Sequence, residues 1–380
     1  MEGYTFKKEI SLENFVSLVG FLAFFLSVGW IMGGVNMMKT MMATGFDLLI
    51  NTCFYLMAVA VLAGAFSSLF SEFGVISLLN AVLSLLMKPL YNLPGAASLG
   101  MLNCYLSDNP AILTLADDDN FRRYFKQYQL PALTNLGTAF GMGFIATTAM
   151  MTLNVPNAIP AALIGNVGAV AGSIVSVRLM IYFSKKVYGT EKMVATKGAE
   201  SIPANTRMVH TGSASFRFIQ AMLQGGKSGI AMGMAIIPGV VIICTFVMML
   251  TKGTSPDGTY TGAAYEGIAF LPWLGQKINF ILKPLYGFTS PEAISVPITA
   301  LGSTGAALGM IKGMSESGLI KANDIAVFTA ICMCWSGYIS THIAMMDALD
   351  TKEMTGKAIL SHTIGGLFAG FVAHLLAMML

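Results

Sequence analysis

The polar side chains that could do chemistry are few in this sequence, and most lie inside apolar runs. Asn103, Ser107, Asp108 and Asn109 gather just ahead of Pro110. Glu292, Ser295, Thr299, Ser303 and Thr304 gather in a second such run. Thr134, Asn135 and Thr138 share one helical face. Ser336, Tyr338, Ser340, Thr341 and His342 crowd one further apolar segment, where Gly337 and the hydroxyls suggest a local break. An ionised group at bilayer depth costs about 2.5–3.5 kcal/mol on insertion scales, so such residues need a partner or a task. Hydroxyls and amides can hold a polar solute, and Asp108, Glu292 and His342 can each take a proton or, for the carboxylates, Na+. Pro110 removes a backbone donor and favours an extended residue before it, so a turn over 107–109 would free backbone groups for a solute or cation. The same residues also suit a cap on a helix that starts at Pro110. Gly302-Ser303-Thr304-Gly305 reads as a tip with open N–H groups, or as a tight turn that needs small residues. Glu292 at the edge of its run equally suits a position in water, and His342 equally suits a packed, satisfied histidine.

The elements that must position these residues are set by composition. The chain has 380 residues, 55% hydrophobic and 11% charged, with mean hydropathy +0.70. Soluble domains carry about 25% charged residues, so an all-α polytopic membrane protein is expected. Seven apolar stretches reach the roughly 20 residues of a spanning helix: about 14–35, 46–70, 130–153, 157–183, 228–250, 323–347 and 358–380. Two more, about 93–116 and 289–314, are broken by Pro, Gly, Asn and Ser, and read as re-entrant helical hairpins. Amphipathic stretches at 74–91 and 264–286 precede them and suit the interface. Residues 1–13 form a polar head, and the run after it lacks a cleavage site, so it is read as a retained span.

Other chemistries lack their signatures. The five cysteines sit in apolar runs with neither disulfide nor zinc spacing. Gly226-Lys227-Ser228 lacks the first glycine and the preceding strand of a phosphate loop. Neither H-E-x-x-H nor G-x-S-x-G occurs, so no enzyme, cofactor or metal assignment is made. The net charge of +3 is spread by topology and forms no nucleic-acid patch. With the N-terminus in the cytoplasm, 16 Lys and Arg fall inside and 6 outside, the sense of the positive-inside rule. This predicts an integral protein of a bacterial plasma (inner) membrane.

The sequence also repeats itself. Lys88-Pro89-Leu90-Tyr91 recurs as Lys283-Pro284-Leu285-Tyr286, and Ala149-Met150-Met151 as Ala344-Met345-Met346, both 195 residues on. Pro94, Ala96 and Ser98 match Pro291, Ala293 and Ser295 in spacing. Each half reads as span, interfacial helix, hairpin, span, span. An odd number of crossings per half turns the second half over, which predicts two inverted-topology repeats with a site between discontinuous segments at the midplane. The expected divisions are 1–44 for head and first span, 45–183 for the first repeat, 184–224 for a cytoplasmic linker and 225–380 for the second repeat.

At the hairpins, Asn103-Cys-Tyr-Leu-Ser-Asp-Asn-Pro-Ala111 and Leu301-Gly-Ser-Thr-Gly-Ala-Ala307, with the glycine-rich openings at Gly45 and Gly225-Gly226, resemble the nucleoside-recognition Gate domain superfamily. That group includes concentrative nucleoside transporters, the membrane gate of ferrous iron transporter B and spore maturation membrane proteins. The acidic, Gln- and Thr-rich hairpin motifs of the nucleoside transporters are not intact here, with Glu292 standing as a remnant. The resemblance implies a secondary transporter of a nucleoside, nucleobase or similar metabolite, working by alternating access with Na+ or H+ as coupling ion. It equally admits a non-transporting assembly protein that acts with a partner, as the spore maturation proteins would. Small-residue helix faces are compatible with a homo-oligomer.

Overall fold

A computed structural model describes residues 8–107, 119–194 and 209–380, and among these the secondary structure is helical apart from one isolated bridge, Lys126 to Met193. Leu12–Met32 forms α1, and Gly34–Glu72 forms α2 with a π-helical turn at Leu48–Cys53. Val75–Tyr91 is α3, and Ala97–Leu106 is α4, the first arm of hairpin one. After the short α5 (Asp119–Arg122) come α6 (Leu130–Thr138), α7 (Gly143–Met151) and α8 (Ala158–Tyr188). The second half opens with α9 (Ala214–Thr251), which has its own π-helical turn at Val240–Cys244. Then follow α10 (Phe270–Lys277), α11 (Asn279–Tyr286), the hairpin arms α12 (Ser295–Gly302) and α13 (Thr304–Glu316), α14 (Ala322–Cys334), α15 (Tyr338–Ala348) and α16 (Thr355–Ala377).

Five of the expected seven spans are long continuous apolar helices. The other two are broken helices: 130–153 is corrected to one interrupted at Ala139–Met142, and 323–347 is interrupted at Trp335–Gly337, where its glycine and hydroxyls suggested a break. Two of the continuous ones are longer than expected: α2 begins at Gly34 rather than near 46, and α9 at Ala214 rather than near 228.

Two antiparallel pairs make the frame. In α8 and α16, a Cβ on Gly172 would lie 2.4 Å from the Gly365 carbonyl oxygen, and one on Gly365 would lie 2.6 Å from that of Gly172. Gly168 faces Ala369 and Ala373 in the same descending register. In α2 and α9, Gly64 and Gly225 meet reciprocally at 2.4 and 2.1 Å, and Gly229 meets Ala60. Lipid offers no hydrophobic drive between helices, so close van der Waals packing over small residues holds such pairs. Because α8 and α16 are the last helices of the two halves and run antiparallel, the halves are inverted. α14 inserts beside this pair, with Thr329 against Gly165.

The 195-residue register reaches the backbone. The left-handed residues Gly74, Asn92 and Met142 recur as Ala269, Gly287 and Gly337. The N–H of Lys126 donates to Gln129 Oε1 at 2.9 Å, and that of Lys321 to Asp324 Oδ2 at 2.9 Å, so matching caps start α6 and α14. Such agreement places both broken spans in one scheme.

Outside the spans, the loop between α9 and α10 is organised by Glu266, which is 3% exposed. It accepts from Ser255 Oγ (2.6 Å), Thr261 Oγ1 (2.6 Å), Thr261 N (3.0 Å) and Gly262 N (2.9 Å). Burial pushes its pKa up, but these donors outweigh burial and hold the carboxyl down at about 2.

Three outcomes are expected. Gly172→Val should lower stability by about 1–3 kcal/mol, the cost of overpacking a close contact. Gly20→Ala, where nothing lies within 4 Å, should leave it unchanged or raise it; thermal unfolding in detergent reads both. Glu266→Gln should unfold at a lower temperature than wild type at neutral pH. Because the folded carboxyl titrates at about 2 against an ordinary 4.5, the wild-type advantage is complete above pH 4.5 and disappears as pH falls to about 2. A gap between the two unfolding temperatures that is constant over that range would contradict this.

Candidate functional site

The breaks sit where an α-helical ladder cannot continue. Met142 and Gly337 both adopt left-handed backbone (φ 55° and 62°) and start α7 and α15. Ala139, Phe140 and Met142 are buried in the first break, as are Trp335 and Ser336 in the second. Irregular backbone at this depth requires protein cover, and it receives it.

Hairpin two packs onto the second break. Thr304, 3% exposed, donates from Oγ1 to the Cys332 carbonyl at 3.0 Å. Ser303 does not stand open at the tip; its Oγ accepts from Ala306 N at 3.2 Å and caps α13. A Cβ on Gly239 would meet Ser303 Oγ at 2.7 Å, and Gly302 and Gly305 abut Ile243 and Ile236, so the tip leans on α9 around its π-helical turn. Within α12, Thr299 Oγ1 donates to the Ser295 carbonyl (2.7 Å) and reaches Met310 Sδ (2.9 Å), and Ser295 Oγ donates to the Glu292 carbonyl (2.5 Å). Glu292 is half-buried, in a turn that rests on α10 rather than at the tip. The hydroxyls of Ser295, Thr299 and Thr304 are buried and partnered, so they present themselves to a solute only if the hairpin moves, while Ser303 is half-buried.

Hairpin one is described up to Ser107; Asp108 and Asn109 lie outside the described residues. Asn103 and Ser107 line a cavity of about 330 Å³ with Ser67, Ser71, Gln224 and Ser228, at the end of the bundle where α2 finishes. Tyr105 donates to Asn166 Oδ1 at 2.9 Å and Asn166 Nδ2 to Thr147 Oγ1 at 2.8 Å, which ties the hairpin to α8 and α7. At the same end, Glu72 pairs with Arg217 (2.5 Å) and His210 (2.8 Å), and the carboxylate beside His210 raises that imidazole's pKa.

The face of α6 read from sequence turns wholly inward: Thr134, Asn135 and Thr138 are each 0% exposed. Thr138 Oγ1 donates back to the Thr134 carbonyl at 2.7 Å. Asn135 Nδ2 donates to Ser176 Oγ (2.9 Å) and the Ala358 carbonyl (3.0 Å). Ser176 in turn meets His362 Nδ1 at 2.9 Å, and the other nitrogen of His362 reaches the Cys334 carbonyl at the edge of the break. His342 lies beside it, ring centroids 4.8 Å apart, with Nδ1 on the Tyr338 carbonyl. Tyr338 bonds Thr363, while Thr341 is half-buried on the same helix. Ser340 lies in α15, its side chain outside the described set. Four buried polar atoms here have no partner: Thr134 Oγ1, Asn135 Oδ1, His342 Nε2 and Trp335 Nε1. Unmet polar groups at such depth are costly.

Sequence reasoning missed His362 and Ser176. A second histidine in a spanning segment was a usable signal; Ser176, one small residue in a small-residue stripe, offered none. Among the described residues no cluster of three metal-ligating side chains occurs.

No family model matches the chain, and no curated protein does. Solved structures do. The chain is similar to CNTnw, a concentrative nucleoside transporter, in an inward-facing substrate-bound state, with TM-score 0.53 and 15% identity over 97% of this chain and 85% of that one. An outward-facing double variant of CNTnw gives TM-score 0.54 at 14% identity, covering 96% and 84%. A variant in an intermediate state gives 0.52 at 15%, covering 96% and 85%. At these identities the likeness is one of fold: the chain is an all-α polytopic membrane protein with the architecture of CNTnw.

Proposed function

We propose that this protein is a secondary active transporter of a small polar solute, a nucleoside, nucleobase or similar metabolite, which works by alternating access. One observation carries the reading. Two cavities, of about 650 and 330 Å³, lie at opposite ends of the α2/α9 pair, and a hairpin arm lines each. Between them along α9 lie the contact of Gly233 with Met57 and the residues Ile236, Gly239 and Ile243, on which the hairpin-two tip rests. A unit carrying hairpins and broken helices that shifts against the α2/α9 pair would open one cavity while closing the other. The neighbouring structures of CNTnw have been caught in inward-facing, outward-facing and intermediate states, which supports the same cycle here.

In this reading the solute binds between the hairpin tips and the breaks. Asn103, Ser107, Asn109, Ser295, Thr299, Ser303 and Thr304 would serve it from the hairpins. Thr134, Asn135, Thr138, Ser336, Tyr338, Ser340 and Thr341 would serve it from the broken spans. Freed backbone carbonyls at a break suit Na+, Asp108 and Glu292 suit a proton or Na+, and His342 suits a proton. The 16-to-6 distribution of Lys and Arg supports a cytoplasmic N-terminus in a bacterial inner membrane.

The test is uptake of labelled nucleosides and nucleobases into proteoliposomes under an imposed Na+ or pH gradient. Uptake should require one gradient. Thr304→Val, which removes the bond to Cys332, should slow it about 5- to 10-fold, the equivalent of about 1–1.5 kcal/mol. Asp108→Ala and His342→Ala together should abolish gradient dependence. Uptake of no compound by a folded protein, together with co-purification of a stoichiometric partner, would favour the non-transporting assembly role.

A further inference from the structure

The larger cavity is lined by none of the residues singled out above for the solute. It holds about 650 Å³, within the range of small-molecule sites, and lies opposite the linker end, where α2, α9, the following loop and α13 meet. Its polar lining includes Asp47, Asn51, Lys252, Tyr265, Lys312 and Glu316. Two of the charges cancel: Lys312 Nζ pairs with Glu316 at 2.8 Å. The other two do not. Asp47 accepts from the Tyr265 hydroxyl (2.5 Å) and from Asn51 Nδ2 (2.8 Å), both neutral donors. Among the described residues neither Asp47 nor Lys252 has an ion-pair partner, although both are half-buried and line the same space.

Opposite charges in one partly desolvated cavity attract strongly, and leaving them apart is costly unless something else meets them. Here Tyr265 and Asn51 hold the Asp47 carboxylate in place, and Lys252 stands at the end of α9, its backbone N–H donating to the Met248 carbonyl (2.8 Å). Asp47 also stands immediately before the π-helical turn Leu48–Cys53, which brings Asn51 and Thr52 to the cavity. Such turns recur at functional sites.

We infer that this cavity is a binding site for a small zwitterion, an α-amino acid or short peptide, whose ammonium faces Asp47 and whose carboxylate faces Lys252. It is separate from the hairpin-tip site and does not depend on the transport reading. A ligand there would bridge α2 and α9 to α13 and so favour whichever arrangement of the hairpin it was bound in.

The test uses the full chain in detergent and equilibrium binding of L-glutamine, its methyl ester and N-acetyl-L-glutamine. The methyl ester lacks the anion, and the acetyl compound lacks the cation. Wild type should prefer L-glutamine at least tenfold over both. Lys252→Met should reduce L-glutamine to the affinity of its methyl ester, and Lys252→Arg should restore the preference. Asp47→Asn, which keeps the side chain's size, should abolish only the preference over the acetyl compound. No saturable binding of L-glutamine, glycine or L-tryptophan to wild type would overturn the assignment. So would binding that both variants leave unchanged. The readout is binding without turnover, so a protein that takes up no nucleoside still gives a decisive result.

Discussion

The close approach of backbone to backbone in lipid is the constraint on which the rest of this structure depends. Gly172 against Gly365, and Gly64 against Gly225, bring helix axes together at distances no side chain would allow. Because successive contacts run in descending order, Gly168 on Ala369 after Gly172 on Gly365, they fix antiparallel direction as well as distance. Once α8 and α16 are locked, the polar groups on their flanks have only one place to meet. Ser176 and His362 then join Asn135 and the Cys334 carbonyl in a chain that crosses both halves of the molecule. Packing thus comes before polarity here: small residues set the frame, and the frame sets which hydroxyl finds which ring nitrogen.

The two halves are alike in scheme and unlike in chemistry. Backbone turns, helix caps and breaks recur at 195 residues. The side chains that populate them do not: the left-handed cap after Tyr91 is an asparagine, the one after Tyr286 a glycine, and the histidine pair belongs to the second half alone. Conformation that many sequences can adopt has stayed common to both halves, whereas the groups that would meet a ligand differ between them.

Much of this was legible in the sequence, and what was not has physical reasons. The KPLY pair, the broken hairpin segments and the small-residue stripes announced the repeat and the close helix packing. The break at Trp335–Gly337 was signalled by its glycine and hydroxyls. Its counterpart at Ala139–Met142 did carry a trace in Gly137, Gly141 and Gly143, but the left-handed position itself is a methionine, which does not announce itself. The start of α2 was misplaced because Lys39, Thr40 and Thr44 look like a loop. In the structure Thr40 and Thr44 are buried against the loop of Glu266, with Thr44 Oγ1 accepting from Tyr265 N. That error put Asp47 at a helix end instead of well inside a helix, and so concealed the larger cavity. The placement of the hairpin residues also could not be read, since a hydroxyl that caps its own helix and one that awaits a solute have the same spelling.

The backbone at the two breaks has a mechanical consequence. Left-handed conformation costs an ordinary side chain about 1–2 kcal/mol and costs glycine almost nothing. Met142 therefore holds its joint under tension against the surrounding packing, while Gly337 takes the same conformation at little cost. Matched topology does not mean matched cost: of two breaks related by an inverted repeat, the first carries backbone strain that the second avoids.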